Sequence, residues 1–134
     1  MNDAEFVAAV ETCALAGRDF HHADHVRLAW IYLRDNPLLE AIERFTASLR
    51  RFAAHHGAAG KYHETITWAY LLLIHERMQR ESAPRDWDDF SAANPDLFDW
   101  KPSILQRYYA PHTLASDLAR RVFVLPDAAV QPRS

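Results

Sequence analysis

Leu38, Ile42, Phe45, Leu49, Phe52 and His56 recur at steps of three or four residues between Asn36-Pro37 and Gly57. That spacing sets all six on one side of an α-helix. A stripe this apolar has to be buried against other elements, so it commits the chain to a packed helical domain. Asn36 and Pro37 read as the N-cap and first residue of this third helix, and Gly57 as its terminator. Upstream, Phe6, Val7, Val10 and Ala14 predict a first helix from about Asp3 to Ala16, stopped by Gly17. The segment FHHADHVRLAWIYLRDN predicts a second, running to about Asp35. Tyr62, Ile66, Tyr70, Leu73 and Ile74 mark one side of a fourth, from about Lys61 to Arg80. Short links between the four imply antiparallel neighbours.

Beyond residue 81 the pattern changes. Pro84, Pro95, Pro102 and Pro111 cut the chain into short helical pieces around Trp87, Phe90, Leu97, Phe98, Trp100, Ile104 and Leu105, because proline removes a backbone donor and clashes with a preceding turn. A last helix is expected from about Leu114 to Phe123, followed by an extended, partly frayed tail, VLPDAAVQPRS. The expected fold is all-α: a four-helix bundle-like core (1–81) with a helical C-terminal cap and tail (82–134), forming a single domain. With 134 residues, 49% of them hydrophobic, there is material for one core.

Eighteen acidic against 15 basic residues give a formal charge of -3, so no overall positive field would hold a phosphate backbone and nucleic acid is disfavoured as a partner. No apolar run reaches the roughly 20 residues of a membrane span, and the start MNDAEF lacks the basic and apolar regions of a signal peptide. A soluble, cytoplasmic protein is the expectation, with room for a homodimer. Cys13 is the sole cysteine, so any metal must be held by nitrogen and oxygen, and Cys13 itself reads as a small packing residue. Three glycines and no G-x-x-x-x-G-K-[ST] or G-x-G-x-x-G run leave no phosphate-cradling loop.

The unusual feature is eight histidines. At about 100° per residue, His22 and His25 fall within the arc of Val26, Ala29 and Leu33 on the second helix, and His63 falls beside Ile66, Tyr70 and Ile74 on the fourth. His56 lies on the stripe of the third helix, and Glu11 borders the apolar side of the first. Leaving such groups unpartnered would cost about 1–3 kcal/mol each. A divalent transition metal (zinc, iron, manganese, nickel or copper) would satisfy them. His22 and His25 reach it at i, i+3 spacing, His63 from a neighbouring helix, and His56 or Glu11 as a fourth ligand. Tyr62, Tyr70 and Thr67, on the His63 side, would then hydrogen-bond a small-molecule substrate. The chain reads as a mononuclear metalloenzyme of hydrolytic or oxidative chemistry.

Three other readings stay open: a metal-free polar pocket for a small ligand, a metal-free enzyme using His22 or His63 as general base, and a non-catalytic module whose histidines only tie helices together. His21, His55, His75 and His112 fall off the stripes and read as surface or cap residues. Asp24 points outward, Glu64 suits a salt bridge, Arg77 could hold a carboxylate, and Arg50 and Arg51 form a solvated face.

The segments FHHADHVRLAWIYL and KYHET, with the closing YYAPHTLASDLARRVFVLPD, resemble a group of small bacterial proteins that share F-x-H-x-x-H-[VL]-x-x-A-W-x-Y-L and K-Y-H-x-T. The positions that carry the resemblance are Phe20, His22, His25, Ala29, Trp30, Tyr32, Leu33, Lys61, Tyr62, His63 and Thr65. It implies that the two histidine segments act as one unit. It brings neither a metal nor a reaction.

Overall fold

The structure, a computed structural model described for residues 1–128, is all-α, as the apolar stripes predict. Its helices are α1 (Asp3–Glu11), α2 (His22–Asp35), α3 (Leu38–His55), α4 (Glu64–Gln79), α5 (Trp87–Ala93), α6 (Pro111–Leu114) and α7 (Asp117–Arg121). Four short 3-10 turns interleave them, at Gly17–Asp19, Ala59–Lys61, Pro95–Phe98 and Ile104–Arg107. None of the described helices is long and apolar enough to cross a membrane.

The helix ends follow from their capping groups. Asn2 accepts the Glu5 N–H at 2.8 Å while Glu5 reaches back to the Asn2 N–H, starting α1 with two orphan donors satisfied. α1 stops at Glu11 and not at Ala16, because Cys13 turns into the left-handed region at φ 60, a conformation that costs a residue with a Cβ about 1–2 kcal/mol. Gly17 opens a 3-10 turn against His56: a Cβ there would lie 3.4 Å from the imidazole. Asn36 ends α2, donating its side-chain N–H to the Tyr32 carbonyl, and Pro37 takes the N-cap position of α3. The expected boundary therefore sits one residue further along. Gly57, at φ 69, follows α3 as expected.

α2 is the central rod. It packs against both α3 and α4 and touches the Pro95–Phe98 turn, and the run Leu28, Ala29, Trp30, Ile31 and Tyr32 is buried on every side of it. No polar residue interrupts that run except Tyr32, whose hydroxyl donates to Glu11 (3.0 Å) and accepts from Ser48 (2.8 Å). Burial, with the Glu11 charge beside it, pushes the Tyr32 phenol up to about 12, so it stays protonated and keeps its donor.

The C-terminal third lies along α2 and α4. Arg77 of α4 grips Asp96 through two N–H groups at 3.0 and 2.9 Å and also donates to Asn94. The expected final helix is broken in two, because Ser116 leaves the helix and accepts the Ala119 N–H to start α7. The tail is not loose up to residue 128. Thr65 donates its hydroxyl to the Val122 carbonyl and accepts the Val124 N–H, Tyr109 donates to the Val124 carbonyl, and Asp127 accepts from Ala110 and Thr113. The rest of that tail lies outside the described residues.

Leu28→Ala is expected to cost about 2–5 kcal/mol of unfolding free energy, since it empties a fully enclosed site on the central helix. Leu39→Ser, at a side chain 80% exposed, should stay within about 0.5 kcal/mol of the parent. Urea titrations of both variants check the pair.

Candidate functional site

The topology brings three helix ends together. Asn36 and Pro37 alone separate α2 from α3, so α3 runs back along α2 and its end meets the start of α2: Phe20 packs on Phe52 with ring centroids 4.7 Å apart. The link from Gly57 to His63 returns the chain, and α4 starts at the same end. Between these ends lies a cavity of about 830 Å³. Its inner wall is apolar, formed mainly by Val26, Phe45, Leu49, Phe52 and Ile66. Of the expected site residues, His22, His25, His56, Tyr62, His63, Thr67 and Tyr70 all line it. Glu11 does not. It sits at the end of α1 and accepts the Tyr32 hydroxyl.

Most of these polar groups are already engaged by the protein. His63 is not on the face of α4 but at its N-cap, with extended backbone (φ -133, ψ 111). Its Nδ1 accepts the Ile66 N–H at 3.1 Å and its Nε2 donates to the Leu114 carbonyl at 2.8 Å, which leaves neither ring nitrogen free. The expected helix begins three residues too early, at Lys61, so His63 is inward as expected but as the cap of α4 rather than on its face. His22 donates Nε2 to the Leu97 carbonyl at 2.9 Å, and its ring sits between those of Tyr70 and Trp100, each 4.9 Å away. Thr67 donates to the His63 carbonyl, Tyr62 to Glu64, and Tyr70 pairs with Ser103. Burial raises the Tyr62 and Tyr70 phenols, and Glu64 raises Tyr62 further, so both are protonated at neutral pH. Glu64 also accepts from Trp68 and pairs with Arg50, as a salt-bridging residue would. Among the described residues, no group of three or more His, Cys, Asp and Glu side chains is arranged to hold a metal ion.

His25 is the exception. Its ring meets Phe20 edge-on at 4.2 Å, lines the cavity, and has no hydrogen-bond partner at either nitrogen among the described residues. Burial, and to a lesser degree the neighbouring His22, pulls its pKa down to about 4 against the opposing pull of Asp24. At neutral pH it is an uncharged imidazole presenting one donor and one acceptor to the cavity. His56, also without a hydrogen-bond partner for its ring among the described residues, is exposed at the opening and packs at a tilt on Phe52, with centroids 4.4 Å apart.

The opening itself has residues that no helical phase singled out. Arg18, Lys61 and Arg120 line it, all three exposed, and Trp100 stands over His22 with 49% of its surface open. Arg18 and Arg120 are far apart in sequence, so only the packing of α7 onto the start of α4 brings them to one rim. The chain matches no family model, no curated protein and no solved structure.

Two outcomes are expected. His63→Ala should lose about 1–3 kcal/mol, equally with and without added zinc, while His63→Asn, which can still cap α4, should recover part of it. Thermal melts in both conditions check this. The folded protein holds His25 neutral, whereas the unfolded imidazole takes up a proton below about 6.5. Its contribution is therefore complete above that pH and is lost as pH falls towards about 4. Between those limits His25→Gln should lose about 2 kcal/mol less stability than the parent, a figure reduced because the ring faces an open cavity.

Proposed function

We propose that the protein binds a small molecule in the cavity between the ends of α2, α3 and α4, with the neutral imidazole of His25 as its internal hydrogen-bond partner. The observation that carries this reading is His25 itself. His25 is half-buried, and where His22 and His63 give a ring N–H to a main-chain carbonyl, its two nitrogens have no partner among the described residues and stay open to the cavity. His25 instead faces a space large enough for a molecule of drug-like size, in a wall that is apolar with few convergent polar groups. A ligand atom able to both give and take a hydrogen bond at His25, such as a hydroxyl, would complete it.

Neutral N-phenyl-1-naphthylamine, whose emission rises in apolar surroundings, tests the cavity. The parent should bind it with micromolar affinity, and Ala53→Trp, which fills the space from α3, should abolish the signal while leaving the helical circular dichroism intact. Equal binding by parent and filled variant would overturn the reading.

A transition-metal centre on His22, His25 and His63 is the second reading, favoured by the gathering of imidazoles on one wall. It requires the hydrogen bonds to Leu97 and Leu114 to give way to metal bonds. Cobalt(II) titration separates the two: visible absorption bands in the parent that vanish in His25→Ala would carry the metal reading, and their absence at stoichiometric cobalt would remove it.

A further inference from the structure

The charges around the cavity are one-sided. None of its lining residues is an aspartate or glutamate, yet Arg18, Lys61 and Arg120 all stand at its opening. The chain as a whole is acidic, with 18 carboxylates to 15 basic residues, so a cation can readily find a partner elsewhere on this surface. Nine other arginines do stand in ion pairs. The three at the opening do not, among the described residues, nor do Arg51 and Lys101 elsewhere, and Arg120 has only the Gly60 carbonyl for a partner. Three cations without an ion pair on one opening outweigh there the carboxylates of Asp24, Glu64 and Asp99, which act on the wall from behind His25, Tyr62 and Tyr70, and favour an anion at the opening.

The rest of the wall defines the other half of the ligand. Behind the cations the surface is aromatic and aliphatic, with Phe20, Phe52 and Trp100 presenting ring faces or edges and His25 contributing an uncharged imidazole. Such a wall accepts a flat apolar body and disfavours a second charge, which would lose its water there.

We propose that the ligand is a small planar aromatic acid, its ring lodged against Phe20 and Phe52 and its oxyanion held at the opening by Arg18, Lys61 and Arg120. This rests on the cavity reading above and adds the chemical class. The guanidinium groups suit a carboxylate or sulfonate because their paired N–H groups match two oxygens, while Lys61 adds a point charge.

Two probes that share a skeleton test the class: N-phenyl-1-naphthylamine is neutral, and 8-anilinonaphthalene-1-sulfonate adds one sulfonate to the same rings. Both are titrated into the parent, into Arg18→Gln/Lys61→Gln/Arg120→Gln, and into Ala53→Trp, with Ala58→Trp as a second filler should the first not fold. The sulfonate should bind the parent more tightly than the neutral probe. The triple variant should weaken the sulfonate about tenfold, since each exposed ion pair accounts for roughly two- to fivefold, and should leave the neutral probe within twofold. Equal affinity of both probes for the parent, or an unchanged sulfonate affinity in the triple variant, overturns the preference for an acid while leaving the cavity as the binding site. Signals that survive both fillers place the probes elsewhere and overturn the acid and the cavity together.

Discussion

An imidazole N–H enclosed by protein has to find an acceptor, and His22 and His63 each find one on a main-chain carbonyl far along the sequence, Leu97 and Leu114. Those two hydrogen bonds fasten the C-terminal third onto the starts of α2 and α4. The wall between the helix ends depends on them. Without the first, the segment carrying Trp100 would be held to α4 by Tyr70–Ser103 and Arg77–Asp96 but no longer to α2 through His22, and without the second, the turn at Leu114 would lose its tie to the cap of α4. The histidines are thus unequal: His63 spends both ring nitrogens on architecture and His22 one, while His25 keeps both.

Much of the fold was legible because burial writes itself as period. The stripe on α3 and the proline breaks after residue 81 correspond to elements that are present, and Gly57 ends α3 through the positive φ its lack of a Cβ permits. What was not legible depended on events without a local signature. Cys13 adopts a left-handed turn that residue type argues against, and nothing in Thr12-Cys13-Ala14 announces it. Phase arithmetic assumes a helix, so it found His63 inward, where it is, but as a facing residue, when the ring folds back to cap the helix it precedes.

The site shows the same division. The gathering of His22, His25, His56 and His63 could be anticipated from their positions near the apolar arcs, since α2, α3 and α4 meet at that end. How their nitrogens would be used could not, because the competing acceptors, Leu97 and Leu114, come from segments whose path the sequence pattern leaves undefined. Tyr62, Thr67 and Tyr70 lie on the cavity wall as their spacing implies, but each has its hydroxyl committed to a protein partner. The cations at the rim left no signal at all, since charge patterning along one helix says nothing about side chains that meet through tertiary packing.

Thr65 ties the segment from Val122 to Val124 to the first turn of α4 through a single hydroxyl that both gives and receives. Arg120, just before that knot, comes after every other residue of the cavity wall in chain order. The residues up to the end of α4 supply Phe20 and Phe52, and those after it supply Trp100 and Arg120. On the proposed reading, the apolar wall comes from the first half of the chain, while part of the charged opening comes from the last helix described.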